Sequence, residues 1–91
     1  MRRAFANRVD NTAKTLIAHA KSLGADYLTL NGDLDGVLKV GPIQWLVDWK
    51  TPGASLTPKQ ARLVAAGWRI HFISTPEQLE EVVKTMRRMA A

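Results

Sequence analysis

Apolar residues recur along this chain at two spacings, and the switches between them mark out its elements. Ala13, Leu16, Ile17, Ala20 and Leu23 fall at helical spacing with Gly24 behind them as a stop, so residues 11–23 are predicted to form a helix. Asp10 stands at its start, placed as N-cap or first-turn residue. Tyr27-Leu28-Thr29-Leu30 then reads as a short strand, followed by the turn residues Asn31-Gly32-Asp33. Residues 36–40 form a second strand, Gly41-Pro42 a tight connection and residues 43–50 a third strand, which closes a hairpin.

After the loop Thr51-Pro52-Gly53-Ala54-Ser55 the helical period returns. In Thr57-Pro58-Lys59-Gln60 the threonine is an N-cap, the proline occupies the first helical position, and Gln60 falls where a capping box places Glu or Gln. That helix ends at Gly67, and residues 69–74 make a fourth strand. Thr75-Pro76-Glu77-Gln78 repeats the start signal for a last helix, striped by Leu79, Val82, Val83 and Met86. The predicted order is α-β-β-β-α-β-α. A strand that runs through a helix into another strand is a crossover, so the third and fourth strands should be parallel. The expectation is an α/β domain with a mixed central sheet of about four strands flanked by helices.

Composition adds limits. Ninety-one residues make a single small domain over 1–91, and a chain of this size buries only roughly 60–65% of its unfolded surface. The chain has no cysteine, which excludes disulfides and thiolate metal sites. No apolar run approaches the roughly 18 residues of a membrane span, and Met1-Arg2-Arg3-Ala4-Phe5 lacks the apolar core of a secretory signal. A soluble, cytoplasmic protein with no membrane partner is expected. The net charge of +5 favours an anionic partner, most simply nucleic acid. Arg2, Arg3 and Arg8 open the chain and Arg87 and Arg88 close it. These clusters are either a DNA-binding surface or two solvated ends.

The candidate chemistry sits on the third strand. Asp48 and Lys50 are two apart and so project from one face. Trp45, Leu46 and Val47 make the strand read as central, where a charged pair needs a reason; on an edge strand it would be a surface ion pair. Asp35 opens the strand that pairs back on Asp48. Two carboxylates and an ammonium on one patch suit a phosphodiesterase in which the carboxylates hold a hard cation and the lysine meets the phosphate or the nucleophile. Asp33 is the alternative to Asp35 as first ligand. Asp10 divides between helix cap and a further metal or water ligand, and Gln60 between capping and the site. Asn31, Asp33, Asp35 and Gly36 also imitate part of a calcium loop, but Pro42 occupies the position of its bidentate glutamate. His19 and His71 lack metal-ligand partners at a sensible spacing. Trp45 and Trp49 should face away from Asp48, and Tyr27 and Trp68 are expected in the core.

The element order and the pattern Asp35…Asp48-Trp49-Lys50…Gln60 resemble the PD-(D/E)XK nuclease superfamily, and most of all its small single-domain VRR-type members, many of them encoded by phages. Arg8-Val9-Asp10-Asn11 looks like the start of those domains. Gly32-Asp33-Leu34-Asp35-Gly36-Val37 sits where they carry the first metal-binding aspartate. Val47-Asp48-Trp49-Lys50-Thr51 matches their acidic-x-lysine strand, and Leu56-Thr57-Pro58-Lys59-Gln60 their glutamine helix. The likeness covers about residues 8–84. It departs from the family in having Asp where Glu is usual before x-Lys, and in lacking the glutamate often found on the first helix. The resemblance implies a restriction-endonuclease-like fold and an endonuclease that hydrolyses DNA with Mg2+ or Mn2+, with selectivity for branched or junction DNA among the options. Asp35 and Asp48 would bind metal, Lys50 would contact the scissile phosphate or attacking water, and Gln60 would orient that water or a phosphate. It also implies a homodimer or higher oligomer in a bacterial or phage-infected cell. The rivals are a non-catalytic DNA-binding module on a degenerate nuclease fold and an assembly protein using a Trp-rich surface.

Overall fold

The computed structural model describes the backbone of residues 2–91 and the side chains from residue 12 onward. The chain runs α1 (Arg2–Ser22), β1 (Asp26–Thr29), β2 (Gly36–Val40), β3 (Ile43–Trp49), α2 (Pro58–Ala65), β4 (Ile70–Ile73) and α3 (Pro76–Ala90). It is an α/β protein whose four strands form one mixed sheet in the order β1-β2-β3-β4. The pairs β1–β2 and β2–β3 are antiparallel, and β3–β4, joined by the α2 crossover, is parallel. Gly41 turns the β2–β3 hairpin with φ 57°, a conformation that favours glycine.

The predicted elements are all present. The largest difference is that α1 starts at Arg2 and not near residue 11. Residues 2–10 hold alanines and arginines and no proline or glycine, so nothing in them stops a helix from propagating. Asp10 therefore lies inside α1 and does not cap it. Both later helices begin as predicted. Thr57 and Thr75 accept hydrogen bonds from the backbone N–H groups of Gln60 and Gln78, whose side chains return the bond to the cap residues. Each capping box satisfies N–H groups that the helix itself cannot.

The β2–β3 register pairs Gly36 with Val47, Leu38 with Trp45 and Val40 with Ile43. These residues share one face of the sheet, together with Trp49 and Ile73. Helices α1 and α3 cover that face with Leu16, Ala20, Leu79, Val83 and Met86, forming the buried core. Full burial of each large apolar side chain contributes about 1.5–3 kcal/mol. The two helices are also tied to each other: His19 Nε2 lies 2.7 Å from Glu80 Oε2, and the Arg87 guanidinium donates to the Leu23 carbonyl at the end of α1.

The opposite face carries Leu46, Asp48, Ile70 and Phe72, and α2 lies beside it. Only one residue of α2, Gln60, is buried. Trp68, expected in the core, is instead 58% exposed just beyond α2. Among the described residues, no helix is long and apolar enough to cross a membrane.

Candidate functional site

Asp48 and Gln60 are the buried polar side chains among the described residues, 5% and 4% exposed. A polar side chain out of water needs partners, and these two are each other's. Gln60 Nε2 donates to Asp48 Oδ2 at 3.1 Å and to the Asp33 carbonyl at 3.0 Å, while its Oε1 accepts from the Thr57 N–H. Gln60 thus completes the cap and binds the strand carboxylate at once. With both amide hydrogens and the oxygen engaged, it positions Asp48.

Asp35 meets Asp48 through the backbone. The β2–β3 ladder ends at Gly36–Val47, so the next positions, Asp35 and Asp48, face each other where the strands part. There the side chains replace the ladder. The Asp35 N–H donates to Asp48 Oδ1 at 3.1 Å, and the Trp49 N–H donates to Asp35 Oδ2 at 2.8 Å. The Asp35 carbonyl accepts from the Leu30 N–H at 2.8 Å, holding the turn onto β1. Between Asp33 and Asp35, then, the carboxylate beside Asp48 is that of Asp35. Asp33 points out to Lys59, 3.7 Å away, and both are largely exposed.

Lys50 lies one residue past β3, yet its N–H continues the parallel ladder to the Ile73 carbonyl at 2.9 Å. Its Nζ is 3.4 Å from Asp48 Oδ2 and 5.8 Å from the centre of the Phe72 ring, and its side chain is mostly buried. One ammonium thus stands against two carboxylates. Burial first, and then the charge of Asp35, push the Asp48 carboxyl above its ordinary range, against the opposing pull of Lys50.

Behind the site, the Trp49 indole N–H donates to the Tyr27 hydroxyl at 3.1 Å, with ring centres 5.6 Å apart. Burial raises the Tyr27 phenol above its usual value, opposed by that hydrogen bond and reinforced by the Asp35 and Asp48 charges. Gly36 makes room for this packing. A Cβ there would lie 2.3 Å from the Leu28 carbonyl and 2.4 Å from the Tyr27 hydroxyl. The residue patterns gave no sign of this support; the one available signal was a glycine directly after Asp35 at a strand start, where a strand residue normally carries a side chain.

Among the described residues, no third His, Cys, Asp or Glu joins the two carboxylates. One of the two readings of Asp10 was a further ligand; its side chain lies outside the described residues, as do those of Arg2, Arg3 and Arg8. Of the C-terminal arginines, Arg87 is spent on α1, and Arg88 is exposed on α3, which covers the sheet face opposite Asp48. Neither adjoins the site. His71 stacks on Trp45 with ring centres 4.3 Å apart, and burial, with Arg69 nearby, lowers its pKa.

Compared with known proteins, the chain matches no family model, no curated protein and no solved structure.

Proposed function

We propose that this domain is a metal-dependent DNA endonuclease of the PD-(D/E)XK type, similar to its small VRR-type members. The observation that carries the reading is Asp48: a carboxylate buried on a central strand, pressed against a second carboxylate and held in place by Gln60 and Lys50. Such an arrangement costs stability unless a cation completes it. The donors fit Mg2+ or Mn2+, hard ions that take one or two carboxylates and fill their remaining positions with water and phosphate oxygens. A cation held by Asp35 and Asp48 would supply Lewis acidity to a phosphate and acidify a bound water.

The chain's own groups do the rest. The Trp49 and Asp35 N–H groups and the Gln60 amide fix the two carboxylates before substrate arrives. Lys50, free to exchange its contact with Asp48 for one with an incoming anion, offers its ammonium to the scissile phosphate or to the attacking water. The basic net charge draws DNA towards the domain.

Labelled linear and branched DNAs incubated with Mg2+, Mn2+ or chelator test the reading, paired with calorimetric metal titration. Lys50→Ala should lose most cleavage and keep metal binding; Asp48→Ala should lose both. Cutting at the wild-type rate by Lys50→Ala refutes the assignment. One observation favours the non-catalytic DNA-binding reading: only two acidic side chains meet at the site among the described residues. Metal-independent DNA binding with no cleavage of any substrate would decide for it.

A further inference from the structure

A groove of about 490 Å³ lies along β4, lined by Leu56, Val64, Trp68, Arg69 and Phe72 and, from the sheet face that α1 and α3 cover, by Trp45 and its stacking partner His71. Trp68 is 58% exposed, and Leu56 and Val64 are 43% and 44% exposed. An indole left this far in water on a small domain is surface that a ligand can use. Phe72 connects the groove to the site, because the ring that lines it also carries the Lys50 ammonium at 5.8 Å.

Charge selects the occupant. Arg69 lines the groove, exposed, and Arg62 is exposed on the adjacent helix; neither forms an ion pair among the described residues. Among the described residues no acidic side chain lines the groove, whereas the groove on the α3 side of β4 is lined by Glu77 and Glu81. An apolar partner would cover Arg69 without supplying an anion. A nucleotide supplies both halves: a base with a π-face and a phosphate.

We propose that this groove holds an unpaired nucleobase of the substrate strand, stacked on Trp68 with its phosphate against Arg69, next to the phosphate bound at Asp35, Asp48 and Lys50. The placement rests on the nuclease reading, while the stacking itself can be measured without it. The domain would accordingly favour DNA with single-stranded or unstacked nucleotides beside the cut over continuous duplex.

The test uses fluorescence anisotropy in chelator at low salt. The probes are a labelled twelve-residue oligothymidine, the same strand with abasic sites, and a blunt duplex. Trp68→Ala should weaken oligothymidine binding about ten-fold, the scale of one lost stack. Trp68→Phe should recover most of it, and abasic DNA should bind wild type and Trp68→Ala alike. Duplex affinity should change less than two-fold. Equal oligothymidine affinity of wild type and Trp68→Ala overturns the proposal, as does the absence of any oligothymidine binding. A shift in sedimentation on Trp68→Ala with unchanged DNA affinity overturns it in favour of a second copy. If the stacking pattern appears and no DNA is cut with any metal, the base site stands and the nuclease reading falls. If Lys50-dependent cutting appears without the stacking pattern, the reverse holds.

Discussion

Asparagine at position 35 removes one charge from the carboxylate pair while keeping its shape. The amide oxygen can still accept from the Trp49 N–H, which leaves the NH2 group on the side of Asp48, where a repelling oxygen stood. Two like charges a few ångströms apart interact by about 3–4 kcal/mol at an effective dielectric of about 20. Lys50, 3.4 Å from Asp48, already offsets part of this. A net gain of about 1–2 kcal/mol is expected for the metal-free protein, or about 5–10 °C in melting temperature for a domain of this size. The pH dependence follows from the direction of the Asp48 shift. Its folded pKa is raised above the ordinary 3.8, so ionising it costs folding free energy. That cost is absent below 3.8, grows as pH rises to the folded pKa, and is constant above it. The advantage of Asp35→Asn should therefore be full at pH 8 and disappear near pH 3. Added Mg2+ or Mn2+ should narrow it from the other side, because only wild type keeps both ligands and gains from binding. Calorimetric melting of both proteins across pH, with chelator and with metal, measures all of this. A variant less stable than wild type in chelator at pH 8, or an advantage independent of pH, refutes the account of the site.

Two further substitutions probe its supports. Gln60→Glu keeps the acceptor for the Thr57 cap but turns an oxygen towards Asp48 Oδ2 and the Asp33 carbonyl; it should cost about 2–4 kcal/mol at pH 8 and less at pH 5, and equal urea midpoints at the two pH values would count against the bond. Gly36→Ala places a methyl group against the Leu28 carbonyl and the Tyr27 ring; it should cost about 1–3 kcal/mol and weaken metal binding through its neighbour Asp35, with a wild-type urea midpoint as the refuting result.

Most of the fold was legible because its signals are local. Two Thr-Pro-x-Gln starts, two glycine stops and a hairpin between period-two segments each depend on a few adjacent residues, and each element formed within a few positions of its expected limits, apart from the start of α1. The juxtaposition of Asp48, Lys50 and Gln60 was legible for the same reason: one pair lies two apart on a strand, and the third sits at a capping position on the next helix. What was not legible depends on register and tertiary packing. Asp35 was separated from Asp33 by where the β2–β3 ladder ends, a property of two strands at once. The Tyr27–Trp49 support depends on Gly36 lying beneath a ring from another strand. Trp68 was expected in the core because large aromatic residues are usually buried; its exposure reflects how little of its surroundings α2 covers.

Helix α2 is fastened to the domain by a single buried side chain, and that side chain is polar. Apolar contacts hold a helix through many small contributions, whereas in α2 the bonds of one amide to Asp48 and Asp33 are joined by the half-buried Leu63. Local opening of α2 thus exposes little hydrophobic surface and belongs among the low-energy excursions of the chain, well below global unfolding. Each such opening removes the donor that holds Asp48 in place. The backbone amides of α2 should then exchange with solvent faster than those of β3, and their exchange rate reports how often the carboxylate pair is assembled while the α1–α3 core stays folded.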